Sequence, residues 1–112
     1  MAEEQFGPIA PLLRFDDTDD VIRRVNATCF GLAASIWSPD AAFASSLAER
    51  IDSGTVWINE VQQLSASVPF GGHRQSGIGV EGGHEGLLEY TNAKVVTLET
   101  ASDLIDQHTD NH

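Results

Sequence analysis

The chain has 112 residues, 41% of them hydrophobic, with a formal charge of −11 and one cysteine. That is material for one domain or part of one, and it excludes a chain disordered by composition. The acidic balance excludes nucleic acid and anionic membranes as partners, and one thiol cannot close an internal disulfide, so the expected location is a reducing cytoplasm.

No apolar run has the length of a transmembrane helix, and the Met-Ala-Glu-Glu start lacks the basic and apolar parts of a signal peptide. Residues 9–15 read as a strand, confined by Pro11 to an edge or to a strand's beginning. Residues 16–20 start a helix. Asp17 or Thr18 can cap its free amides, and the acids favour the positive end of its dipole. Val21, Ile22 and Val25 form its apolar stripe. Asn26 is expected to end it in the left-handed conformation.

Residues 31–37 form a second apolar strand. Ser38-Pro39-Asp40 then reads as a helix start, with Ser38 as N-cap and proline at the first position. Phe43, Leu47 and Ile51 recur every four residues beside Ala44 and Ala48, which predicts one buried face. Gly54 is expected to terminate this helix, and residues 55–59 form a third strand. The order strand, helix, strand, helix, strand places the chain in the α/β class. Crossovers of this length imply a parallel sheet covered by helices.

Between Ser65 and Gly86 stand seven glycines and little periodicity, which predicts a long glycine-rich loop. A short helix is expected near residues 84–90 and a last strand at 94–98. Residues 99–112 read as an acidic, flexible tail carrying Asp103, Asp106 and Asp110.

Four blocks carry a family signal. They are Glu3-Glu-Gln-Phe-Gly-Pro8, Gly54-Thr-Val-Trp-Ile-Asn59, Pro69-Phe-Gly-Gly-His-Arg-Gln-Ser-Gly-Ile-Gly79 and Leu87-Leu-Glu-Tyr-Thr91. In this order they resemble the C-terminal portion of the NAD(P)-dependent aldehyde dehydrogenase superfamily, over roughly residues 3 to 98. The resemblance implies that residues 1–98 are part of that family's catalytic and oligomerisation region, with 94–98 as the strand that pairs across subunits. The family oxidises an aldehyde to an acid through a thiohemiacetal on cysteine, with hydride passing to NAD or NADP. Its nucleophile, its glutamate base and its dinucleotide-binding domain lie upstream of such a segment. The expectation is therefore a truncated chain that is inactive and binds no cofactor alone. Two alternatives stay open: one half of a split enzyme, and a non-catalytic oligomerisation or binding module. The expected partners are a second copy or an N-terminal aldehyde dehydrogenase portion.

Position by position, the resemblance puts the cofactor's ribose contact on Glu4 and its nicotinamide contact on Phe6. Disorder near a terminus is the competing reading. It puts Asn59 and Phe70 beside the aldehyde pocket. A strand-terminal Asx turn explains Asn59 as well, and a core position under a loop explains Phe70 as well. It puts Glu81 near the general base as a proton relay, against a plain solvated carboxylate. Gly77-Ile-Gly-Val-Glu-Gly82 fits the pattern G-x-G-x-x-G but is rejected as a phosphate cradle, because no strand is expected before it and glycines weaken the following helix start. Cys29 follows a helix C-terminus, where the dipole disfavours thiolate, so it reads as a buried structural cysteine. His73, His84, His108 and His112 lack metal-ligand spacing and read as solvated; no metal site is expected.

Overall fold

The structure, a computed structural model, describes residues 6–98. The predicted tail at 99–112 lies outside the described residues.

Helix α1 runs Thr18–Asn26, and Asp17 is its N-cap, its carboxylate accepting from the amides of Asp19 and Asp20 at 3.1 and 3.3 Å. The helix ends differently from expectation. Ala27 caps it in right-handed geometry, its amide bonded back to the Arg23 carbonyl. Asn26 is spent on tertiary contacts: Nδ2 donates to the Arg50 carbonyl at 2.8 Å and Oδ1 accepts from the Asp52 amide at 2.9 Å.

The strand expected at 31–37 is two strands, β1 (Phe30–Gly31) and β2 (Ala33–Ile36). Leu32 separates them because the run serves two partners of opposite sense, described below. Helix α2 runs Ala41–Ala48 and is capped by Asp40, not Ser38. The Asp40 carboxylate accepts from the Phe43 amide at 2.9 Å, while the Ser38 hydroxyl accepts from the Asp40 amide at 3.1 Å. Serine thus orders the turn before the cap. Ala44 is fully buried on this helix, whereas Phe43 is 45% exposed, so the buried face follows the alanine rather than the phenylalanine. The helix stops at Ala48 with Glu49 as C-cap, well before Gly54.

Strand β3 is Thr55–Ile58, parallel to β2, with Ala33 opposite Thr55 and Ile36 opposite Ile58. One strand–helix–strand unit therefore forms. The wider parallel sheet does not form within the described residues, because residues 9–15 are not a strand. They lack a neighbour to pair with, Pro11 offers no amide, and Leu12 is 97% exposed. Residues 94–98 likewise form no strand, and Val95 is 85% exposed.

The glycine-rich segment is ordered. It holds β4 (Phe70–Gly71), β5 (His73–Arg74), β6 (Val80–Glu81) and α3 (Gly83–Leu88). β5 pairs antiparallel with β1, and β4 pairs antiparallel with β6. Two glycines make this possible. A Cβ on Gly54 would sit 1.7 Å from the Gly71 carbonyl oxygen, so these two backbones can meet only without it. Gly82 has φ +70°, and a Cβ there would meet the Val68 oxygen at 2.6 Å. Among the described residues the buried hydrophobic ones are Ile22, Ala44 and Trp57, a small core. Among the described residues no helix is long and apolar enough to cross a membrane.

Candidate functional site

The site is built on Trp57, the buried residue of β3. Its indole Nε1 donates to the Gln63 carbonyl at 3.1 Å, which draws residues 60–64 over the strand end. The Ser35 hydroxyl, opposite Trp57 in the register, donates to the Glu60 carbonyl at 2.6 Å and does the same. The Phe70 ring stacks on the indole with centroids 6.3 Å apart and planes 21° apart. That separation is within the range of a favourable offset aromatic pair.

Phe70 divides two hollows. One, of about 480 Å³, is bounded by Leu32, Ala34, Trp57, Val61, Leu64 and Phe70. The other, of about 220 Å³, is bounded by Leu64, Val68, Phe70, Glu81 and Gly82. Glu81 lies directly across the β4–β6 ladder from Phe70. The fold thus brings two of the expected site residues, Phe70 and Glu81, to one hollow of mixed polar and apolar lining, with Ser65 also on its wall. Together the two hollows can hold an apolar substrate on one side of Phe70 and a group that takes or gives a proton on the other.

Asn59 stands just past β3 with φ 57°. Its Oδ1 accepts from the Ser38 amide and its Nδ2 donates to the Ser38 carbonyl, both at 2.8 Å. Both ends of the carboxamide therefore clip β3 to the turn before α2. Phe6 is 95% exposed and far along the chain from Phe70. Glu4 lies outside the described residues. Cys29 is half-buried rather than buried, and its carbonyl accepts from the Gln75 amide at 3.0 Å.

A second cluster, which no expectation from the sequence names, centres on Asp52. Asp52, between α2 and β3, accepts from His73 Nδ1 at 2.8 Å and from Arg74 Nη1 at 2.6 Å. The His73 hydrogen bond lowers the Asp52 pKa below its ordinary 3.8, partly opposed by desolvation and reinforced by the Arg74 charge. His73 thus hydrogen-bonds Asp52 beside the Asp52–Arg74 ion pair while its side chain stays about half exposed. One signal pointed there: Arg74 is a lone cation inside a glycine-rich block.

A two-residue strand, β5, does precede Gly77, against expectation, and the expected short helix is α3, which follows Gly82. The Gly83 amide at the helix start already donates to the Ala66 carbonyl at 2.9 Å, and β6 inside the motif is paired with β4. His108 and His112 lie outside the described residues, and among those described no cluster of metal-ligating side chains occurs.

The chain matches the aldehyde dehydrogenase family model over residues 1–96. It is 50% identical over 95 residues to aldehyde dehydrogenase LUC3 of Fusarium sp, covering 85% of this chain and 21% of that protein. It is 45% identical over 97 residues to human retinaldehyde dehydrogenase 3, covering 87% of this chain and 19% of that protein. Among solved structures, an aldehyde dehydrogenase of Bacillus cereus superposes with TM-score 0.77 at 44% identity, covering 81% of this chain and 18% of the other. A betaine aldehyde dehydrogenase of Staphylococcus aureus in complex with NAD+ superposes with TM-score 0.77 at 43% identity, covering 80% and 18%. The chain spans about a fifth of the length of the curated relatives it matches.

Proposed function

Because the chain belongs to the aldehyde dehydrogenase family, we propose that it supplies one wall of an NAD(P)-dependent aldehyde-oxidising site and that its 112 residues alone do not oxidise aldehydes. The observation that carries the reading is the pairing of Phe70, stacked on Trp57, with Glu81 across the β4–β6 ladder. Phe70 and Trp57 would exclude water from the aldehyde. Glu81 would pass a proton through one water to a base on another part of the enzyme. Asn59 would shape the pocket's end through its clip to Ser38 rather than by a free amide.

The cofactor, when bound, accepts the hydride from the substrate carbon. Phe6 suits it: its ring is exposed and free to flank a nicotinamide. Glu4, two residues earlier, would accept from the ribose hydroxyls. These two residues form one side of a site, so the chain alone would bind the cofactor weakly.

The proposed inactivity follows from chemistry. Cys29 is the chain's single thiol, sits just beyond the C-terminal end of α1, and is half-buried. A thiolate gains from the opposite helix end. A chain with so small a core also calls for cover. The proposed partners are a second copy of the chain or an N-terminal aldehyde dehydrogenase portion, in the cytoplasm. The sparse core favours either of these over a free-standing module.

Two assays test the reading. The 112-residue polypeptide, given NAD or NADP and a panel of aldehydes, should show no turnover. Turnover that vanishes in Cys29→Ser would overturn the inactivity. In the second assay, residues 1–98 replace the matching segment of the Bacillus cereus enzyme. That graft should oxidise aldehydes, and Phe70→Ala should lower its kcat/KM by on the order of tenfold or more. A folded graft without turnover would contradict the proposed role of the wall.

A further inference from the structure

Arg74 touches neither hollow, yet several separate pieces of the molecule meet on it. Its Nη1 donates to the Asn26 carbonyl at 3.1 Å and to Asp52 Oδ2 at 2.6 Å. Its Nη2 donates to the Asp52 carbonyl at 2.9 Å and to the Phe30 carbonyl. One guanidinium thus gathers the end of α1, strand β1 and the turn between α2 and β3. Only a planar fork with several donors can do this; an ammonium could not reach all four acceptors together.

The backbone at Arg74 explains how the cluster forms. Successive side chains of a strand project to opposite faces. His73 and Arg74 are successive, yet both reach the one carboxylate of Asp52. Arg74 has φ 55°, a region sparsely populated by non-glycine residues, and that turn breaks the alternation. Gly31 leaves the room for it. A Cβ there would meet the Asp52 oxygen at 2.9 Å and Arg74 Nη2 at 3.0 Å.

The consequence reaches the hollows. Gly54, two residues past Asp52, lies against Gly71, three residues before Arg74. Phe70 adjoins Gly71 and stacks on Trp57, and Glu81 pairs across from Phe70. From Asp52 to Trp57 on one side, and from Arg74 to Phe70 on the other, there are only a few residues of chain. Fixing Asp52 against Arg74 therefore fixes where the two rings meet.

We infer that Arg74, anchored by Asp52, is a positioning residue for the wall carrying Phe70 and Glu81. This rests on the reading of that wall as part of an aldehyde pocket. Neither residue takes part in the chemistry; both set the geometry from behind, as a supporting shell does.

The test uses the full chain with Trp37→Phe, which leaves Trp57 as its one tryptophan. Near-UV circular dichroism then reports the Trp57–Phe70 stack, with Phe70→Leu giving the unstacked value, and far-UV dichroism reports α1 and α2. Arg74→Gln and Asp52→Asn should each lower the Trp57 band by about twofold or more while the far-UV signal holds, and Arg74→Lys should recover part of it. An unchanged Trp57 band in both variants would overturn the inference. So would a far-UV loss matching the near-UV loss in the milder Asp52→Asn, because the cluster would then be holding the whole fold. The optical readout needs no turnover. An inactive graft with a moved Trp57 band would sink the aldehyde reading and leave the positioning role intact.

Discussion

Residues 55–58 and 94–98 are alike in composition and opposite in fate. Thr-Val-Trp-Ile and Lys-Val-Val-Thr-Leu are both short runs rich in β-branched side chains, so local preference favours a strand in each. The first is a strand, paired along its length with β2, and Trp57 within it is 9% exposed. The second has no ladder, and Val95, Val96 and Leu98 stand in solvent. What separates them is a neighbour. α2 returns the chain so that β3 meets β2, Gly54 lets the glycine-rich hairpin close against it, and Asp52 and Arg74 hold that hairpin. Nothing in the described chain does as much for residues 94–98. A strand is a pairwise object, and propensity alone does not make one.

Gly54 is where the fold of residues 55–58 is most vulnerable. In Gly54→Ala the added methyl would overlap the Gly71 oxygen, and overpacking of this kind costs about 1–3 kcal/mol or more. In so small a core that is a large fraction of stability, so Trp57 should lose its burial. Thermal unfolding followed at Trp57 checks this. A melting curve equal to wild type would mean the hairpin does not depend on the glycine contact.

Completing the second region should make it resemble the first. The exposed residues at 94–98 are expected to pair with a neighbouring chain, so the polypeptide should scatter light as a dimer or larger species. Val96→Lys places a charge on that strand and should reduce the apparent mass by about twofold, with the Trp57 signal unchanged. Equal masses for wild type and variant would place the contact elsewhere.

A smaller effect comes from acid. The Asp52 pKa is depressed in the folded chain, first by the His73 hydrogen bond and then by Arg74. The stability this contributes is fully present above the ordinary value of 3.8 and is lost as pH falls through the depressed one. The Trp57 band should therefore decline in acid below pH 3.8, and that limb should be missing in Asp52→Asn. The same acid limb in both proteins would assign it to other carboxylates.

Much of the ordered region was legible in the sequence, and the reasons it was not all legible are physical. Asp17 as a cap, the α2–β3 succession and the Phe70 block are local patterns, readable from adjacent residue types. The cap at Asp40 was missed because serine, proline and aspartate compete for one turn, and the hydrogen-bond geometry rather than the rank order decides. The end of α1 was misread because Asn26 answers to Arg50 and Asp52, more than twenty positions away. The strands expected at 9–15 and 94–98 were read from side-chain preference, which cannot see whether a partner is present. At the candidate site, Phe70 and Glu81 follow from motif resemblance, whereas Asp52 belongs to no local pattern and nothing local ties Arg74, inside the Pro69–Gly79 block, to it. Their meeting depends on a left-handed residue and two glycines placed by tertiary contacts.

Amide hydrogen exchange of the 112-residue chain at two concentrations, low and high micromolar, tests the central contrast most directly. Slow exchange is expected at 33–36 and 55–58 whatever the concentration, because that ladder is closed within one chain. Residues 94–98 should exchange fast in dilute solution and gain protection as concentration rises. Protection at 55–58 that fades on dilution, or protection at 94–98 that does not, would contradict that contrast.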